Sequence, residues 1–76
     1  MKLKPHVEKG KYWFKETDLA EPIDWDYLHS LPYKLQVSLE VYMGGRVSLG
    51  RAAEMAGLSV REFDEIRGRA KIPIHT

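Results

Sequence analysis

The sequence predicts an all-α protein, a small helix-turn-helix domain with an extended aromatic N-terminal arm and a short extended C-terminal tail. Three observations predict it. Residues 48–67 carry the signals for two helices joined by a tight turn. An apolar run before them is bracketed by Pro32 and by Gly44-Gly45. Six of the eight aromatic residues crowd into residues 12–33 of the 76-residue chain.

Within residues 48–67, Ala53 is the small residue at which two helices can cross, and Gly57, four positions later, tolerates the positive φ of a turn. Leu49, Ala52, Ala56, Leu58, Phe63 and Ile66 recur at helical spacing and fill the wedge between the helices. Ser48 and Ser59 are good N-caps. Glu62 stands three residues after Ser59, which makes a capping box.

Residues 35–41 carry two periods at once. Leu35, Val37, Leu39 and Val41 alternate with Gln36, Ser38 and Glu40, which taken alone is the period of a strand. Read as a helix, the same stretch puts Leu35, Leu39, Tyr42 and Met43 on one face, starts near Pro32 and stops at the glycine pair. That length suits a helix packed under the bihelical motif, and the helix is the reading adopted. Upstream, Asp24 is placed to cap a short helix carrying Trp25, Tyr27 and Leu28, closed by Ser30 and Pro32. Residues 15–22 are acidic, Tyr12-Trp13-Phe14 is a dense aromatic run, and residues 1–11 read as a basic arm or a short edge strand. Pro73 ends any continuation of the last helix, which leaves Ile72 to His75 as an extended tail. The chain therefore divides into an arm with a short helix at 1–31 and a helix-turn-helix domain at 32–76.

Composition bounds what this domain can do. Seventy-six residues lie near the lower limit for a self-sufficient core. Two helices cannot bury their wedge alone, so the preceding segment, a partner chain or both must cover it. Twelve basic and eleven acidic residues nearly cancel, so global charge makes no case for nucleic acid. The absence of cysteine excludes disulfides, thiolate metal sites and a cysteine nucleophile. No apolar run reaches membrane-spanning length and no signal-peptide core is present, so the cytoplasm is the expected compartment.

Catalysis and cofactors are not expected. His6, His29 and His75 are far apart, and none has a second ligand at metal spacing. Glu16, Asp18, Glu21, Asp24 and Asp26 lack the alternation and the glycine of a calcium loop, and read as a solvated acidic face. No serine has a histidine–acid constellation, and so short a chain offers little room for a substrate cleft.

The run from Leu39 to Ser59 (Leu-Glu-Val-Tyr-Met-Gly-Gly-Arg-Val-Ser-Leu-Gly-Arg-Ala-Ala-Glu-Met-Ala-Gly-Leu-Ser), with Arg61-Glu62-Phe63 and later Ile72-Pro73-Ile74, resembles a family of small archaeal and bacterial helix-turn-helix proteins, uncharacterised protein family 0175. The resemblance covers about residues 35–74 and supports the helix over 33–43. It implies an antitoxin-like protein whose partner is a toxin of the PIN-domain ribonuclease type. It departs from the family pattern after Phe63, where Asp64-Glu65-Ile66-Arg67-Gly68 is more polar than the usual leucine-rich text.

If the motif docks on DNA in the usual way, the first residues of its second helix approach base edges. Ser59, Val60 and Arg61 are then the readers, with Arg61 alone able to make a bidentate contact to guanine. Arg46, Arg51, Arg67, Arg69 and Lys71 are candidates for neutralising phosphates. Asp64 and Glu65, one turn on, count against this because carboxylates repel phosphate. The plainer account pairs Arg61 with Glu65 at i,i+4 on a solvated face. For a protein partner the candidates are Tyr12, Trp13, Phe14, Trp25 and Tyr27. Three consecutive aromatics cannot all face inward, so at least one of the trio is expected at the surface. A plug for an acidic nuclease site would be an arginine or a lysine: Lys2, Lys4, Lys9, Lys11 or Lys15 of the arm, or Arg67 and Arg69. Competing classes are a dimeric DNA-binding regulator with no toxin, and an adaptor that binds protein alone.

Overall fold

The computed structural model describes residues 12–74. The expected edge strand at 1–11, the four arm lysines within it, His6 and His75 lie outside the described residues. The architecture is helical: α1 (Trp25–His29), α2 (Tyr33–Met43), α3 (Leu49–Ala56) and α4 (Val60–Arg69), preceded by a 3-10 turn at Glu16–Asp18. Among the described residues no helix is long and apolar enough to cross a membrane.

Each helix begins and ends where local chemistry dictates. The Asp24 carboxylate accepts from the Tyr27 N–H at 3.0 Å and starts α1. Pro32 stands at the N-cap of α2, where its missing N–H costs nothing. Ser48 caps α3 by accepting from the Arg51 N–H. At α4 the Ser59 hydroxyl accepts from the Glu62 N–H while the Glu62 carboxylate accepts from the Ser59 N–H, a complete capping box. Gly57 ends α3 at φ +74°, and the Leu58 N–H reaches back to the Ala53 carbonyl. A residue with a Cβ would be strained there. The end of α4 repeats this geometry without a glycine. Lys71 holds φ +65°, its N–H donates to the Gly68 carbonyl, and the Ile72 N–H donates to Arg67. This is a Schellman motif with a lysine in the left-handed position.

The core sits where α2, α3 and α4 meet. Leu39, Tyr42 and Met43 of α2, Ala52 and Ala53 of α3, and Phe63 of α4 are all buried. The Tyr42 and Phe63 rings meet edge to face with centroids 6.5 Å apart. Helical periodicity, not the strand-like alternation, therefore governs residues 35–41: Leu39 is buried while Val37 and Val41 are only partly so. Leu49, Leu58 and Ile66 are partly buried against this cluster, as a wedge filled from its rim requires.

The segment before α1 is tied to the helix ends by backbone hydrogen bonds. The Trp13 N–H donates to the Met43 carbonyl at 3.0 Å, and the Asp24 N–H donates to the Ala70 carbonyl at 2.8 Å. Trp13 packs so closely over Gly45 (φ +76°) that a Cβ there would lie 3.1 Å from the Trp13 Cβ. Ile23 from this segment, Leu28 from α1 and Ile72 from the tail are core residues. The expected extended tail is thus anchored through Ile72, because the Schellman turn swings that side chain back onto the core.

Candidate functional site

Two groups of predicted binding residues can be located, and the fold treats them differently. The first is the basic set around the bihelical motif. Arg61 is exposed at the start of α4, and none of the ion pairs among the described residues involves Arg61, Arg46 or Arg69. The expected Arg61–Glu65 pair does not form. Arg51 bonds Glu54 at 2.9 Å, with both side chains well exposed, so this i,i+3 pair contributes little and leaves the guanidinium at the surface.

Arg67 is engaged inward, and Lys71 is paired at the surface. The Arg67 Nε donates to Asp64 Oδ1 at 2.8 Å, and its Nη1 donates to the Ile72 carbonyl. Only 17% of the Arg67 side chain is exposed, so its charge serves to hold α4 to the tail. Lys71 Nζ lies 3.4 Å from Glu21 of the arm. The basic cluster 67-69-71 that the sequence displays is therefore divided in space, with Arg69 alone exposed and outside any ion pair among the described residues.

The acids of α4 are likewise partly occupied. Glu62 is turned back into the capping box and Asp64 is held by Arg67, which leaves Glu65 of the three outside such a contact. Ser59 is locked in the same box: its hydroxyl also lies 3.2 Å from Glu62 Oε1, so it serves as a cap rather than as a base-reading group. One cation escaped the sequence reading. Lys34, in the first turn of α2, places its Nζ 3.5 Å from where a Cβ on Gly57 would stand, directly over the α3–α4 turn. Nothing in the local sequence signals this, since it depends on how the start of α2 packs beside the end of α3. Lys34 and Arg61 thus lie at one end of the motif, while Arg67 and Lys71 tie the other.

The second group is aromatic. Tyr12 and Phe14 are half-buried and stacked, with centroids 5.3 Å apart, and Trp13 meets Phe14 edge-on. Trp13 is the most exposed of the three at 37%, which meets the expectation that one member of the trio reaches the surface. Trp25 is half-buried and donates from Nε1 to Glu16 Oε2 at 3.0 Å, and Tyr27 packs at the edge of the core. Burial, then the Glu16 and Glu40 carboxylates, push the Tyr12 hydroxyl up from 10.0 to about 12. Tyr12, Phe14, Leu19 and Pro73 contribute to an open groove of about 820 Å³. Among the described residues no three His, Asp or Glu side chains come together in a group able to hold a metal ion.

The motif, its preceding helix and the tail coincide with a known pattern. The model of the Uncharacterised protein family (UPF0175) matches residues 30–76, which takes in α2, α3 and α4. The chain belongs to this family. A UPF0175 protein of Archaeoglobus fulgidus is similar, with 50% identity over 42 residues that make up 55% of this chain and 48% of that protein. The matched stretch thus spans about half the length of that curated relative. No solved structure matches the chain.

Proposed function

We propose that this UPF0175 chain is an antitoxin-like protein that binds its own operator DNA through α4 and neutralises a partner toxin, a ribonuclease of the PIN type. The observation that carries the DNA half is the cluster at the head of the motif. Arg61 and Lys34 stand exposed beside the α3–α4 turn, while the Glu62 carboxylate is taken up by the Ser59 capping box and Asp64 by Arg67. A helix entering the major groove presents this end to base edges, and an arginine free of carboxylates can make the bidentate contact to guanine. The Asp64 carboxylate that weighs against DNA in the sequence is balanced by Arg67.

The toxin half is supported by the family resemblance and by the surface left outside the DNA face. Arg46 and Arg69 are exposed cations suited to an acidic nuclease site, and Trp13 offers an aromatic contact. With Arg67 engaged by Asp64 and Ile72, Arg69 is the better plug of the pair. The protein acts by binding, and no catalytic step or cofactor belongs to this reading.

One preparation tests both halves. The tagged full chain is purified from its native cell after nuclease treatment and assayed with any protein that accompanies it. A ribonuclease whose activity falls to zero at one equivalent of the chain is the expected result, and a chain that leaves every accompanying nuclease active removes the antitoxin reading. The same chain is titrated onto duplex DNA at several salt concentrations. The expected log–log slope is about −0.9 per phosphate contacted, and absence of binding to any duplex removes the DNA half.

A further inference from the structure

Val60 is an unusual residue for its place. It opens α4, half of its surface is exposed at 49%, and it is flanked by Ser59 and Arg61. Its neighbour across the motif is Gly50, whose missing Cβ would stand 3.9 Å from Val60 Cγ2. Glycine there gives Val60 a backbone to rest against and no side chain to cover it. The result is a half-exposed valine, one methyl against Gly50, next in the chain to an arginine outside any ion pair among the described residues.

The other groups at this end are already committed. The Ser59 hydroxyl and the Glu62 carboxylate satisfy each other and the first amides of α4, so the helix terminus itself offers little to an anion. Asp64 belongs to Arg67. Reading by side chains at the head of α4 therefore reduces to Val60 and Arg61.

Resting on the DNA reading of α4, we propose that these two residues read a thymine next to a guanine in the major groove. Val60 packs on the thymine C5-methyl and Arg61 spans guanine O6 and N7. Valine has no hydrogen-bonding group, and the thymine methyl is the one apolar feature on a major-groove base edge. Both residues lie in the first turn of α4, the end that approaches base edges when such a helix docks. Consecutive bases of one strand stand about 3.4 Å apart along the axis, within the difference in reach between a short valine and a long arginine. Double-stranded RNA does not fit this pair. Its deep, narrow major groove does not admit a helix.

The experiment selects duplexes from a random library with the full chain and then measures affinities with altered bases and variants. The expected consensus contains thymine adjacent to guanine in each recognised half-site. Replacing that thymine by uracil, which removes only the methyl, is expected to weaken binding by about fourfold. Val60→Ser, which replaces the methyls with a hydroxyl, binds the thymine and uracil duplexes alike. Arg61→Ala loses discrimination at the guanine, an effect of roughly 5- to 150-fold. Both residues are exposed, so each variant should melt like the parent, and unchanged thermal unfolding confirms that its fold is retained. A consensus without this step, or a Val60→Ser protein that still favours thymine over uracil, overturns the Val60–Arg61 assignment while leaving DNA reading intact. Recovery of no duplex above the non-specific background overturns both.

Discussion

The two ends of α4 use their basic residues in opposite ways. At the N-terminal end Arg61 is exposed and outside any ion pair among the described residues, next in the chain to the exposed Val60, and the Lys34 amine lies over Gly57 of the adjoining turn. At the C-terminal end Arg67 is sheltered between Asp64 and the Ile72 carbonyl, and Lys71 reaches Glu21. A charge census favours the wrong end for a ligand, since residues 60–65 hold one cation and three acids while residues 66–71 hold three cations and no acid. What separates them is whether the chain's own carboxylates and carbonyls lie within reach: the tail and arm fold back over one end and leave the other bare. A cation held by the fold stabilises it, whereas a cation left outside is available for a ligand.

Substitutions at the two ends should separate accordingly when stability is followed by urea unfolding. The largest expected effect is at the C-terminal end. Arg67→Ala removes a charge-assisted bond to Asp64 and orphans the Ile72 carbonyl, a loss of about 2 kcal/mol. An unchanged midpoint would mean that the clasp on the tail adds nothing. Ser59→Ala opens the capping box at the other end and should cost about 1 kcal/mol. Lys71→Gly relieves the left-handed backbone at the cost of an exposed ion pair, for a net gain of about 0.5 kcal/mol. A net loss would show that the Glu21 contact outweighs the strain. The smallest shift belongs to Arg61→Ala, which should stay within about 0.5 kcal/mol of the parent. A larger loss would place Arg61 in the fold and erase the contrast.

The helical half was legible because its signals are local. Ser59 and Glu62 are three residues apart, Gly57 marks its own turn, and Phe63 recurs at the right interval after Ala52 and Ala56. The double period of residues 35–41 was settled by the flanking Pro32 and Gly44-Gly45 rather than by the apolar residues themselves. The functional residues were less legible, because pairing depends on contacts that sequence spacing underdetermines. Arg61 and Glu65 have the spacing of an ion pair and do not form one. Arg67 instead takes Asp64, one turn back, once the Schellman turn at Lys71 brings the Ile72 carbonyl to its other nitrogen. Lys34 is more than twenty positions from Gly57 and becomes its neighbour only when α2 packs on α3. Ile23 and Ile72 sit in the stretches read as arm and tail, yet both are buried.

The most direct test of the contrast within α4 is an amide chemical-shift titration of the full chain with its selected duplex. The account expects the large shifts at residues 57–65 and around Lys34, with residues 67–74 nearly unmoved. Shifts concentrated at Arg67 to Ile74, with the head of α4 silent, would contradict it.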